Sequence, residues 1–424
     1  MDKVEFYIND TDYTGQLISY RIRWSIFDGA GTMDAEVNPI GKWQPRYRGK
    51  DKFLFIISGK MMLRGYIDSW NRNWSKGNHS LRITGRDALS ILEDSCFLDP
   101  VPYPKPTAPG RKWKIEDVVK DVFNNMPSVK EKEIASVIFT KQNLDVLTYN
   151  FTSSAKTTLK DLPALSEVKI SAGDTIFSFL SKIINAAGLF MYVEPGTTDI
   201  IIQSFYVPFD PHENDNSTNY GYDGEVGEDI RKPYQVTHRC DGLGNVISLS
   251  LYNNRNRFFT YVKVLGSGNQ EGSVVQDENH NIRIDSALKQ ELWGISEEEK
   301  DIVQHRFSVL TVNDVDEMFW KKSPERLTNN IGFIQARNVL QWNYTVPYHS
   351  LENTNEPYFI GRTAMLWDDY LIEQDGDTRT LECLVSAVEY VGGKTEGQTT
   401  TMSLIPKSFI DGFVNATAFA RAVK

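Results

Sequence analysis

Near its two ends this chain repeats one order of features, and that repeat constrains the fold more than any other part of the sequence. Close to the start, Pro45-Arg46-Tyr47-Arg48-Gly49 precedes the apolar run Phe53–Ile57. Gly65-Tyr66-Ile67-Asp68-Ser69-Trp70, a Lys76-Gly77-Asn78 turn and Leu81-Arg82-Ile83-Thr84-Gly85 follow. Close to the end, Pro357-Tyr358-Phe359-Ile360-Gly361 precedes Ala364–Trp367, then Leu384–Tyr390, Gly392-Gly393 and Thr401-Met402-Ser403-Leu404-Ile405. Each copy reads P-x-x-x-G, strand, strand, glycine turn, strand, the pattern of antiparallel strands joined by tight turns. Two explanations stand side by side. Any two antiparallel β domains share such an order, or one barrel has been duplicated and its second copy split by an insertion.

Around the repeat the chain divides by texture. Residues 1–98 add Val4–Ile8 and Leu17–Ile26, giving five short strands and predicting a first small β-barrel or sandwich, closed by a short helix over Ala88–Asp94. Within it, a carboxylate at Ile56 is expected to disrupt a buried strand. Pro100, Pro102, Pro104, Pro106 and Pro109 predict an extended connector over residues 99–112. An α/β domain is expected over 99–235. Ile115, Val118, Val119, Val122, Phe123 and Met126 give one apolar face to a helix over Trp113–Met126. A second helix is predicted over Asp174–Ala187, with Asp174 as N-cap and Gly188 just past its end, between strands at Glu167–Ile170, Phe190–Val193 and Asp199–Gln203. Residues 210–230 hold seven acids and no Lys or Arg, an exposed acidic loop. The second barrel falls to 236–265 and 343–409. It is interrupted by a helical insertion over 266–342, where Ser296–Glu299 has capping-box spacing and a helix from Pro324 runs to about Gln341. Residues 410–424 form a tail.

Composition narrows the function classes. Aromatic residues make up 12% of the chain, which favours β structure and lasting protein contacts. A net charge of −10 and a pI near 5.3 argue against electrostatic binding of nucleic acid, so no specific nucleic-acid partner is expected. The apolar runs fall far short of the ~20 residues of a membrane-spanning segment, and MDKVEFYIND lacks the apolar core of a secretion signal. Cys96, Cys240 and Cys383 are widely spaced and read as free thiols of a chain made in a reducing cytosol.

The sequence carries no recognisable catalytic or metal-binding motif. The six histidines form no H-E-x-x-H or similar pair; His238-Arg239-Cys240 is their nearest approach to a metal motif. Asp210, Asn214 and Asp215 lack the spacing of a calcium loop, and neither a G-x-S-x-G elbow nor a phosphate-binding loop is present. No catalytic, cofactor-binding or metal residue is therefore assigned, and no cofactor is expected. The one candidate interface is basic. Arg46, Arg48, Lys50 and Lys52 alternate along the approach to a strand, as an edge-guarding face or as a contact for an acidic neighbour such as the next subunit.

The strings Pro45–Gly49, Leu63-Arg64-Gly65-Tyr66-Ile67-Asp68, Gly85-Arg86-Asp87 and Leu92-Glu93-Asp94-Ser95 resemble the N-terminal barrel of baseplate hub proteins from contractile phage tails, the Mu-type tail hub family. Val168–Gln203 resembles the small α/β module of that family. Thr345-Val346-Pro347 with Gly392-Gly393 and Thr399–Phe409 resembles its C-terminal barrel, and the order is similar also to the hub half of type VI secretion spike proteins. The acidic loop, the 266–342 insertion and the tail match no part of the pattern. The resemblance implies a mainly β chain with α/β insertions and two similar tail-tube-like antiparallel barrels. It also implies a homotrimer joining the sixfold tail tube to the threefold central spike, in contact with other baseplate or tape-measure proteins. Such a protein sits in the virion tail baseplate after assembly in the host cytoplasm and catalyses nothing. The alternative is a carbohydrate-binding or cell-wall-degrading tail-associated β protein.

Overall fold

The computed structural model describes residues 2–38, 51–75, 78–97, 101–103, 115–125, 137–139, 168–170, 173–186, 189–204, 233–253, 261–266, 281–283, 309–315, 340–350, 356–369, 380–394 and 397–406. The first part of the chain forms β1 (Val4–Ile8), β2 (Thr11–Asp12), β3 (Leu17–Ser25), β4 (Thr32–Val37), β5 (Lys52–Ile57), β6 (Lys60–Ser75), β7 (Asn78–Asp87) and the short helix α1 (Ser90–Asp94). The middle supplies β8 (Val101–Tyr103), α2 (Ile115–Asn125), β9 (Val137–Phe139), β10 (Val168–Ile170), α3 (Ile176–Ala186), β11 (Leu189–Val193) and β12 (Ile200–Ser204). The last part forms β13 (Tyr234–His238), β14 (Ser248–Asn253), β15 (Tyr261–Gly266), β16 (Asn281–Arg283), β17 (Val309–Val315), β18 (Leu340–Pro347), β19 (Thr363–Asp368), β20 (Thr380–Gly393) and β21 (Thr399–Pro406).

Thirteen strands join in one sheet, along the path β14-β18-β21-β20-β3-β4-β7-β6-β5-β1-β2, with β19 beside β20 and β13 beside β19. The first part contributes β1-β5-β6-β7-β4-β3 and the last part β13-β19-β20-β21-β18-β14. Ranked by position in the chain, these two orders are identical. Corresponding neighbours also run the same way, except that β1 and β5 are antiparallel whereas β13 and β19 are parallel. The long strands β6 and β20 hold the same place in the two orders. Each carries a bulge against its hairpin partner, between Ile67 and Ser69 in β6 and between Val385 and Ala387 in β20, and such bulges bend and re-aim a strand. The two halves are stitched together where β20 pairs antiparallel with β3, from Ala387 opposite Ser25 to Gly393 opposite Ser19. Among the described residues the sheet closes into no barrel.

Alternating burial makes these strands. In β3, Tyr20, Ile22 and Trp24 turn inward while Arg21 and Arg23 face solvent, the period of two expected of a half-buried sheet. One continuous core runs under both halves. Trp24 meets Tyr390 edge-on at 5.3 Å and Phe359 at 5.4 Å, and Phe6 stacks on Phe55 at 4.5 Å. The middle module leans on the same core, with Tyr192 of β11 at 5.6 Å from Phe359.

Several expectations are refined. Phe53–Ile57 is apolar throughout, and the pleat buries Phe53, Phe55 and Ile57 while Ile56 is only half-buried on the other face. A carboxylate at Ile56 therefore does not enter the core. The connector over 99–112 contains a strand, β8, which pairs with β10 and sets Pro102 opposite Lys169; a proline is tolerated at such an edge. The helix read over Trp113–Met126 is α2, burying Val118, Val119, Val122 and Phe123. The second helix begins one residue later than expected. Thr175 caps it, its hydroxyl accepting the Ser178 amide at 3.0 Å, in place of Asp174. Within 266–342 the described residues are strands. β15 pairs antiparallel with β16 and parallel with β17 in a small separate sheet, and β18 already begins at Leu340, so no helix reaches Gln341. The Ser296 and Pro324 helix starts, the Lys76-Gly77 turn, Gly188, the acidic loop and the tail lie outside the described residues.

Candidate functional site: the sheet joint and its exposed edges

The joint between the halves is filled by a buried polar chain centred on His349, which has no exposed surface. The Thr400 hydroxyl donates to the Tyr348 carbonyl at 2.6 Å, so it accepts from His349 Nδ1 at 3.0 Å. That leaves Nε2 as an acceptor, and the Tyr20 hydroxyl donates to it at 2.7 Å. The ring stacks on Tyr390 at 4.7 Å, and burial draws its pKa down to about 4. The imidazole is thus neutral, with both nitrogens satisfied. Asp2, just before β1, reaches across the joint. Its carboxylate accepts the His349 amide and the Ser58 hydroxyl, both at 2.6 Å. Burial pushes the Asp2 pKa up, but hydrogen bonds from Ser58, the His349 amide and Ser350 outweigh it and hold the carboxyl below its ordinary value. Gly392 completes the fit, because a Cβ there would run into the Tyr20 ring.

A second cluster braces the corner of β6, β7 and α1, and it gathers residues of the Gly85-Arg86-Asp87 and Leu92–Ser95 strings. Arg86 donates to Asp68 at 2.7 Å, Glu93 at 2.7 Å and Asp94 at 2.8 Å. Hydrogen bonding to Asp68 leads in raising its pKa further above the ordinary arginine value. Glu93 also accepts the Ala30 amide at 2.9 Å. Asp87 is buried and accepts amides from Gly31 at 2.8 Å and Leu89 at 2.9 Å; burial pushes its pKa up to about 7. Gly65 is required by close approach of the strands, since a Cβ would meet the Arg86 carbonyl. Each of these side chains is engaged in hydrogen bonds or ion pairs that brace the corner.

His238 pairs through Nδ1 with buried Asp368 at 3.0 Å, and the Tyr344 hydroxyl donates to the same carboxylate at 2.7 Å. Among the described residues no group of three or more His, Cys, Asp or Glu side chains is placed to hold a metal; Asp210, Asn214 and Asp215 lie outside them. Of the basic quartet, Arg46, Arg48 and Lys50 also lie outside the described residues. Lys52 is exposed at the start of β5, with its ammonium 5.7 Å from the Tyr66 ring centroid.

The sequence reading missed the exposed apolar residues. Trp70 and Trp74 lie on the outer end of β6, with Trp74 77% exposed. Leu243 and Ile247 lead into β14, which itself exposes Leu251 and Tyr252, the latter at 51%. The signal for the first group was present in the spacing of Trp70, Arg72 and Trp74, which share one face of a strand. Apolar side chains concentrated on strand edges mark interaction surfaces.

Solved phage tail proteins share this fold. No protein-family model matches the sequence, and no curated protein matches it. The tail protein of Neisseria meningitidis MC58 is similar in fold, with a TM-score of 0.62 and 15% identity over 96% of this chain and 97% of that one. The 43 kDa tail protein of prophage MuSo2 from Shewanella oneidensis has a TM-score of 0.59 and 14% identity, covering 97% of this chain and 98% of its own. Prophage tail protein gp18 of Listeria monocytogenes EGD-e, at a TM-score of 0.52 and 12% identity, covers 99% of both chains. Among the described residues no helix is long and apolar enough to cross a membrane.

Proposed function

We propose that this protein is the hub of a contractile phage tail baseplate, a homotrimeric ring that adapts the sixfold tail tube to the threefold central spike. The observation that carries this reading is the repeated strand order, with its two copies joined edge to edge by β20 and β3. One chain then holds two like units, and three chains present six. In this reading residues 1–98 form the first barrel-like domain and 236–265 with 343–409 the second. The 99–235 α/β domain and the 266–342 insertion face other baseplate or tape-measure proteins, and the basic residues 46–52 contact an acidic neighbour. The hub works by geometry in the virion tail and carries out no reaction. Its likeness in fold to three phage tail proteins along nearly the whole chain supports a tail role.

Light scattering on the purified chain, alone and mixed with its tube and spike proteins, tests the reading. Three chains of 48.4 kDa make a particle of about 145 kDa. A chain that stays monomeric in every mixture would refute the hub.

A further inference from the structure

We propose that neighbouring copies of this chain are joined by a strand pair of their own, in which residues 69–75 of β6 add antiparallel to the outer edge of β14 in the next copy. This deepens the hub reading and rests on it. The template is the joint inside the chain. β20 divides one edge between two partners, pairing with β19 over Thr380–Leu384 and with β3 over Ala387–Gly393. β6 stands in the place of β20 and uses the corresponding edge only as far as Tyr66, where it pairs with β5. The match is close in detail. The Val385 amide donates to the Arg362 carbonyl at 2.9 Å, and the Ile67 amide donates to the Asp51 carbonyl at 2.9 Å, in both cases just before the bulge. Beyond that point no described strand pairs with this edge of β6.

Among the described residues the other side of the joint is unpaired as well. The place of β3 is held in the second half by β14, whose one neighbour among the described strands is β18. Among the described residues each half therefore leaves unpaired the edge that its counterpart fills within the chain, and these two edges are not paired with each other. Exposed apolar residues collect on these same edges: Trp70 and Trp74 on β6, Leu251 and Tyr252 on β14. The occupant is a second copy because the fitting strand is this chain's own. Such a contact is head-to-tail, and contacts of that kind close into rings when the rotation per step allows.

The template also sets the register. Equating residues through their hydrogen-bonded neighbours puts Trp70, Arg72 and Trp74 in the places of Val388, Tyr390 and Gly392. Leu249, Leu251 and Asn253 take the places of Tyr20, Ile22 and Trp24. Trp74 then faces Leu249 of the next copy, Arg72 faces Leu251, and Trp70 faces Asn253. Bulk is exchanged across the joint: inside the chain a glycine meets Tyr20, and between copies a tryptophan meets a leucine. Between these pairs lie Asn71 with Tyr252, Asn73 with Ser250 and Ser75 with Ser248. In the template, Ile26 with Ser386 and Ile18 with Lys394 are the hydrogen-bonded positions. Asn73 and Ser250 therefore fall at a non-hydrogen-bonded pair, where facing side chains come close enough for a disulfide.

The test is disulfide trapping in the full chain, with the exposed Cys96 and Cys240 changed to serine. Asn73→Cys combined with Ser250→Cys should give, on mild oxidation, a reducible ladder ending at the trimer. Asn73→Cys with Tyr252→Cys, two residues out of register, should give roughly fivefold less. Trp74→Glu, at a site too exposed to affect folding of the chain itself, should cut the in-register yield roughly tenfold. A particle of trimer mass with no Asn73–Ser250 cross-link would overturn the proposed joint while leaving the hub intact. Monomers in every mixture with tube and spike proteins would overturn both.

Discussion

Replacing His349 with glutamine should change how the stability of the protein responds to acid. Burial lowers the pKa of this imidazole from 6.5 to about 4. As the pH falls, the unfolded chain takes up a proton near 6.5, whereas the folded chain does so only near 4, so stability declines through that window. The loss between pH 7.5 and pH 5 is about 2 kcal/mol, at about 1.36 kcal/mol per pK unit. Asp87 acts in the opposite sense. Its pKa rises from 3.8 to about 7, so below pH 7 the folded protein holds a proton that the unfolded chain releases. From pH 7.5 to 5 this adds about 2–3 kcal/mol, and the two effects nearly cancel in the wild type.

The variants separate the two effects. At pH 7.5 His349→Gln should cost about 1–3 kcal/mol, because it weakens the bonds to Tyr20 and Thr400 and removes the stack on Tyr390. By pH 5 that gap should narrow by about 2 kcal/mol. Asp87→Asn should do the reverse and fall further behind the wild type toward pH 5. Urea denaturation followed by tryptophan fluorescence reads both, since Trp24 lies 5.3 Å from Tyr390 at the joint. A gap between wild type and His349→Gln that stays constant from pH 7.5 to 5 would refute the neutral buried imidazole and the hydrogen-bond directions drawn through it.

Phe55→Asp should abolish soluble expression, because it sets a carboxylate in the fully buried row of β5 at a cost of several kcal/mol; Ile56→Asp on the half-buried face should be tolerated, and equal loss from both would contradict the strand phase. Arg86→Met should destabilise by about 1–2 kcal/mol at low salt and less at high salt, since it leaves Asp68, Glu93 and Asp94 without their shared cation at a partly exposed corner. A salt-independent loss in thermal denaturation would point to packing rather than charge.

Local order was legible along the chain because it depends on neighbours along the chain. The alternation in β3 and β7, the apolar face of α2 and the position of α3 all follow from side chains two to four residues apart. The P-x-x-x-G order near both ends also pointed to like surroundings for β5 and β19, which hold the same place in the two strand orders. Where the local pattern has no phase, it decides nothing. Phe53–Ile57 is apolar at every position, and only the pairing with β1 and β6 determined that Phe55 is buried and Ile56 half-buried. The α3 cap turned on which oxygen, that of Asp174 or of Thr175, the last turn of backbone brought to the Ser178 amide.

The joint was beyond any reading of the sequence. Ser19 faces Gly393, and Tyr20 meets a histidine 329 residues away. In the sequence His349 is one of six scattered histidines. Trp74 and Leu251 look like core residues until the sheet leaves them exposed on β6 and β14, at edges unpaired among the described residues. Which edges are filled is a property of the assembled sheet, since a strand's backbone donors and acceptors are alike at every residue. Only the tertiary structure decides which strand reaches them.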